Sequence, residues 1–238
     1  LLAYYIAAIN IESVYHDLMS AKDGEYQPFN GICLTDTFQL YEKDDLVSIM
    51  LEANSSRRKR QKKLNIKVIM GNPPYSAGQD SANSDNANID YPCLDQRIAD
   101  SYLTASQTKG GKRSSYDSYI RAIRWASDRL AGEDGNGTGV IGFVSNAGFI
   151  DSASADGLRK CLAEEFASIY VFHLRGNART SGELRRQEKD NVFGQGTRTP
   201  IAISILVRNP QATEHGRIVL HDIGDYLTRE EKLAKIAA

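Results

Sequence analysis

The fold of this chain turns on Ile66-Lys67-Val68-Ile69-Met70-Gly71-Asn72-Pro73-Pro74-Tyr75. The apolar run from Ile66 to Met70, broken only by Lys67, reads as a buried strand that stops at Gly71. In α/β sheets the chemistry sits just past the carboxyl ends of strands. That puts Asn72 to Tyr75 where a substrate is held. A residue before proline is pushed into an extended conformation, which applies to both Asn72 and Pro73. Neither proline has an N–H, so the segment presents acceptors: the Asn72 side-chain oxygen and the Pro73 carbonyl. Two fixed acceptors suit a planar NH2 group conjugated to a ring. Holding both protons draws the nitrogen toward tetrahedral geometry and frees its lone pair to attack an electrophile such as a methyl sulfonium. Tyr75 adds a flat face, and stacking there is worth roughly 1–3 kcal/mol for a nucleobase. The plain alternative is a strand followed by a Pro-Pro turn.

With 238 residues, the chain is long enough for one α/β domain with a sizeable core, or for two small ones. Hydrophobic residues make up 41% and charged residues 25%, as in ordinary soluble globular proteins. The net charge of −1 excludes a polycation, so contact with nucleic acid must use local basic patches. Cys33, Cys93 and Cys161 have no paired spacing, which points to a reducing compartment and no zinc site. No apolar run approaches the ~20 residues of a membrane span, and no signal peptide is expected. The chain opens on Leu1 inside a helical pattern, so it reads as a piece of something longer.

Leu1 to Glu12 is apolar almost all round, which predicts a helix buried between layers, with Tyr4 and Tyr5 in the core. Gly31 to Phe38 reads as a short strand ending at Thr35 and Asp36. The run Arg57-Arg-Lys-Arg-Gln-Lys-Lys63 is either a phosphate-binding cluster or a solvated helix end favoured by the dipole. Residues 76–115 are polar and lack a clear core pattern. Such long loops are often functional. This one is expected to wrap DNA or a base pocket, with Lys109, Lys112 and Arg113 meeting phosphate, or else to be a disordered insertion. A short helix over Leu94–Leu103 fits within it.

Tyr116 to Leu130 is the clearest helix, its apolar residues recurring every three to four positions. Gly137-Thr-Gly139-Val-Ile-Gly142 matches a dinucleotide fingerprint literally, but a helix precedes it and a strand follows, the reverse of what that loop needs. Strands are predicted at Gly139–Ser145, Ser168–Leu174 and Ile201–Val207, with a helix over 152–166. The last two strands, joined by a polar excursion, suit an antiparallel hairpin. His173 reads as a packed core histidine. Thr228-Arg-Glu-Glu231 is a capping box that opens a terminal helix.

At Asn72-Pro73-Pro74-Tyr75 the sequence resembles the amino-methyltransferases that use S-adenosyl-L-methionine, whose signature is Asn/Asp-Pro-Pro-Tyr/Phe/Trp. The resemblance implies a target amino group on adenine N6, cytosine N4, RNA guanine N2 or a protein glutamine, with these four residues catalytic. It also implies that Asp36 accepts from the cofactor's adenine amino group, that Phe38 packs near that ring, and that Phe193 contacts a flipped base. The stretches 72–79, 116–129, 142–159, 173–183 and 192–207 together resemble a narrower family. It is the methyltransferase region of the large single-chain restriction–modification enzymes called type ISP.

That resemblance implies a partial Rossmann-like α/β methyltransferase fold over residues 1–210, mostly parallel, with a C-terminal antiparallel hairpin and N-terminal strands missing. Residues 211–238 would then begin a following segment or domain. The implied function is methylation of adenine N6 in double-stranded DNA by a cytoplasmic, prokaryotic enzyme, with no membrane partner. The remainder of the parent polypeptide would bring the rest of the cofactor site, a target-recognition domain, a helicase and a nuclease. The chain alone is then expected to be inactive, with Ile66–Met70 left with one bare edge and Ile32–Leu34 without a neighbour. The alternatives are an RNA or protein-glutamine amino-methyltransferase, and a non-catalytic DNA-binding scaffold of a translocase.

Overall fold

Gly139-Val-Ile-Gly-Phe-Val-Ser-Asn146 forms a strand in which Ile141, Phe143 and Ser145 are buried and the residues between them are less so, up to the buried terminal Asn146. This is the period-two signature of a sheet packed on one face. A computed structural model of the chain describes residues 2–23, 29–41, 52–74, 91–108, 112–194 and 196–238. The strands are β1 (Val68–Gly71), β2 (Gly139–Asn146), β3 (Ser168–Arg175), β4 (Ile201–Arg208) and β5 (Arg217–Asp222), in the order β1-β2-β4-β3-β5. β1 runs parallel to β2, and β3 parallel to β5; β4 is antiparallel to both its neighbours. Four strands therefore point one way and β4 alone points back, which is a mixed α/β architecture. The antiparallel pair expected from the last two predicted strands is β3 with β4.

The helices are α1 (Leu2–Asp23), α2 (Glu52–Lys63), α3 (Pro92–Ile98), α4 (Ser118–Ala131), α5 (Asp156–Glu165), α6 (Gly182–Glu188) and α7 (Arg229–Ala237). By its internal contacts the chain divides into two compact units, Leu1–Leu64 and Asn65–Ala238. The second contains the whole sheet. Ile123 of α4 and Leu162 of α5 meet Ile141, Phe143 and Leu206 on one sheet face. Each such aliphatic side chain gains about 1.5–3 kcal/mol by leaving water. Along the other face the register aligns Met70, Gly142, Ile205, Tyr170 and Val219, and the four side chains of that row are exposed.

Several elements differ from expectation. β1 is not buried, with Val68 64% and Met70 83% exposed, although its one bare edge is as expected: among the described residues it pairs with β2 alone. Residues 32–36 form no strand. Asn54 of α2 donates to and accepts from the Leu34 backbone at 2.8 and 2.7 Å, taking the place of a neighbouring strand. α1 runs on to Asp23, and Tyr5, Ile9 and Val14 are exposed rather than packed. The polar stretch 76–115 is not all insertion. Tyr91, Leu94, Ile98 and Tyr102 are buried, a helical period diluted by intervening polar residues. α6 lies in the excursion that reads as loop, and β5 pairs with β3 although it lies past residue 210. The basic run occupies the last turns of α2.

α3 opens on Pro92, whose missing N–H costs nothing at a helix start. It continues into a π-helical turn, Ala99–Leu103. That turn lies so close to α5 that a Cβ on Gly157 would sit 1.9 Å from the Tyr102 carbonyl, so only glycine fits. Asp156 locks the contact. Its carboxylate accepts from Ser106 Oγ at 2.5 Å, Gln107 N at 2.8 Å and Gly157 N at 2.8 Å. The Ser106 bond first, and the backbone donors with it, hold this carboxyl far below the ordinary range. A carboxyl so depressed stabilises the fold above its ordinary pKa and loses that contribution as protonation begins. Asp156→Asn should therefore lower the melting temperature at neutral pH, and the gap should narrow as pH falls below about 4. A gap independent of pH in thermal denaturation would contradict this role.

Candidate active site

β1 ends at Gly71, and Asn72, Pro73 and Pro74 leave it without regular structure. Asn72 and Pro74 are exposed and Pro73 is half-buried. Because Gly71 stands opposite Phe143, these residues leave the sheet at the edge where β2 finishes at Asn146. β3 ends at that edge too, and β4 starts there, since Asn146 pairs with Ile201 and Arg175 also pairs with Ile201.

Between those ends lies a cleft of about 340 Å³, lined by Asn146 to Gly148, Asp117, Tyr119, His173, Glu188 and Thr199. Two of its polar side chains are more than nine-tenths buried. Asn146 accepts from Gly148 N at 2.8 Å through Oδ1, which leaves its NH2 group as the donor it can offer. Thr199 Oγ1 is buried without a hydrogen-bond partner among the described residues. An unpaired buried hydroxyl costs about 1–3 kcal/mol, so the Thr199 hydroxyl suits a polar guest. Tyr119 is buried, and burial first, then the charges of Asp117 and Asp151, push its phenol upward. It stays a neutral donor. His173 Nδ1 lies 3.4 Å from Asp222, which Arg175 also holds at 2.8 Å.

One side of the cleft belongs to the excursion between β3 and β4. Gly176 turns out of β3 at φ +89°, and a Cβ there would meet Asn191 at 2.8 Å. Asn191, itself buried, donates to Gly176 O at 3.2 Å and Thr199 O at 2.9 Å, and accepts from Phe193 N at 3.0 Å. One amide thus ties both ends of the excursion and fixes the backbone at Phe193, whose ring is 47% exposed.

Asn72, Pro73 and Pro74 therefore share a sheet edge with the cleft. Tyr75 and Lys109 lie outside the described residues. Lys112 and Arg113 open a 3-10 turn, Lys112–Tyr116, whose Ser114 lines the cleft. Asp36 and Phe38 belong to the first unit, where Asp36 Oδ1 accepts from Phe38 N at 3.0 Å and both side chains are half-buried. Sequence reasoning missed Asn146, Asn191 and Thr199. The available signal was weak: polar residues at or near a strand end or ahead of a strand start.

Comparison with family models and with curated proteins finds no match. Among solved structures, a nuclease-deletion mutant of the Type ISP restriction-modification enzyme LlaGI, in complex with a DNA substrate mimic, is 50% identical over 100% of this chain, with a TM-score of 0.89. The chain resembles one region of Type ISP restriction-modification enzymes. The ATP-dependent Type ISP enzyme LlaBIII bound to DNA is 42% identical over 99% of the chain, with a TM-score of 0.87. The DrdV–DNA complex is 39% identical over 98%, with a TM-score of 0.84. The chain spans only 19%, 15% and 21% of these three proteins.

If the Thr199 hydroxyl awaits a guest rather than supporting the fold, Thr199→Val should leave stability unchanged or raise it by about 1 kcal/mol in denaturant titration. A loss of more than about 2 kcal/mol would show that the hydroxyl serves the fold.

Proposed function

We propose that this chain is the catalytic part of a Rossmann-like DNA adenine N6-methyltransferase domain, working within a longer restriction–modification polypeptide. The observation that carries the reading is the position of Asn72-Pro73-Pro74, at a sheet edge that also holds a cleft with a buried hydroxyl, Thr199 Oγ1, unpaired among the described residues. The cleft favours a neutral base over a phosphate, because three carboxylates, Asp117, Asp151 and Glu188, line it against one guanidinium, Arg179. Similarity at 39–50% identity to enzymes solved with DNA supports the substrate class.

The adenine leaves the duplex at a cost of about a few kcal/mol. Stacking on Tyr75 and Phe193 offsets this by roughly 1–3 kcal/mol per ring. The Asn72 side-chain oxygen and the Pro73 carbonyl accept the two N6 protons and turn the nitrogen lone pair outward. Asn146 and Thr199 satisfy the ring nitrogens from the cleft. Lys109, Lys112 and Arg113 meet the phosphates beside it.

S-adenosyl-L-methionine, when bound, supplies a methyl group activated on a sulfonium. The chemistry of the available groups fits its adenine end: Asp36 offers a half-buried carboxylate to the amino group, Phe38 offers a ring, and Asn54 fixes the backbone just before them. Positioning supplies much of the rate.

In the longer polypeptide, Asn72→Ala should cut incorporation of labelled methyl into DNA by about 100-fold or more, the usual loss for a preorganised polar group on the reacting atom. Duplex affinity in a filter-binding assay should stay the same. Incorporation close to that of the unsubstituted enzyme would remove Asn72 from the reaction.

A further inference from the structure

Lysine in a Arg-Glu-Glu-Lys helix start is ordinarily solvated, yet Lys232 of α7 is fully buried. Its ammonium donates to two backbone carbonyls, Glu188 O at 3.0 Å and Asp190 O at 2.6 Å. One turn earlier, Arg229 Nε donates to Val192 O at 3.0 Å, and its backbone N lies 3.4 Å from Asp190 Oδ2. Just before the helix, Tyr226 N donates to Gln187 O at 2.9 Å, and its hydroxyl donates to Glu183 at 2.6 Å. The helix is fixed in turn: Thr228 accepts from Glu231 N, and the Glu231 carboxylate accepts from Thr228 N at 2.7 Å. Apart from that cap, every one of these contacts lands on residues 183–192, the segment that leads into Phe193. Val192 packs with Leu174, Ile201 and Ile223, and Leu227 closes over them.

A buried ammonium is costly, and burial lowers the Lys232 pKa against the pull of Glu188 and Asp190. A methionine of similar shape would hold α7 on an apolar cluster at lower desolvation cost. What methionine cannot do is hold two carbonyls that otherwise lack these donors. The geometry points to Lys232 and Arg229 as positioning residues for base capture: through the carbonyls of residues 188, 190 and 192 they set the half-exposed Phe193 ring where an extruded base stacks. This rests on the reading of Phe193 as a stacking platform.

The experiment uses the longer polypeptide and DNA carrying 2-aminopurine at the base to be methylated, whose fluorescence rises on extrusion. Lys232→Met and Arg229→Gln should each lower the signal at saturating enzyme by at least about five-fold, the lower bound for losing one base–ring stack. Duplex affinity should not change. Phe193→Ala should do the same, and adding either α7 substitution to it should cause no further loss, because all three act through one ring. If Phe193→Ala lowers the signal and the α7 substitutions do not, the clamp is wrong and the stacking role stands. Additive losses would also overturn the clamp. If Phe193→Ala leaves the signal unchanged, the stacking role and the clamp fall together. Should Lys232→Met not fold, Arg229→Gln decides alone, its side chain being 46% exposed.

Discussion

The reversal of β4 is the constraint on which the site depends. β2 and β3 both end at one edge of the sheet, and β4 must start there to run back between them. The chain therefore leaves β3 and enters β4 at the same edge, and the connection between Arg175 and Ile201 begins and ends at the edge where Asn72 to Pro74 leave β1 and where β2 finishes. Inserting one antiparallel strand thus converts a single-loop site, as at the end of any parallel strand, into a cleft walled by several segments.

An excursion of that length costs conformational entropy, and buried polar atoms hold it. Asn191 bonds to its two ends and to Phe193 N, and Lys232 bonds to its middle. Backbone carbonyls removed from water must find donors, and here side chains supply them where no strand can. The first unit uses the same device: Asn54 satisfies both backbone groups of Leu34. The buried amide and ammonium give donors to four backbone carbonyls, which a purely apolar plug would not.

How much of this was legible in the sequence depended on whether the signal was local. β2, β3, β4 and α4 declare themselves because their apolar spacing is set by one neighbouring face. The capping box at Thr228 is local chemistry and forms as read. The composition of Val68 and Met70, or of α1, identifies element type but cannot report what covers it, so their exposure was not legible. Ile32-Cys33-Leu34 resembles a strand because apolarity does not reveal that an amide twenty residues later takes its backbone. A helix over Leu94–Leu103 was legible, but its buried face, with Tyr91 just before it, was diluted by polar neighbours. The stiffness and the acceptors of Asn72-Pro-Pro were legible because they are properties of the dipeptides themselves. Asn146, Asn191, Thr199 and Lys232 gain meaning only when strands far apart in sequence converge.

On the proposed function, the carboxyl edge of this sheet receives a base extruded from DNA. Photo-crosslinking tests it most directly. DNA carrying iodouracil in place of the target base would be bound to the longer polypeptide and irradiated, and the crosslinked peptides identified by mass spectrometry. Crosslinks are expected in peptides that contain Tyr75 or Phe193, and they should be lost when the modified base is moved to a neighbouring position. Crosslinks confined to the basic turns of α2 or to β5, with none at the carboxyl edge, would contradict it.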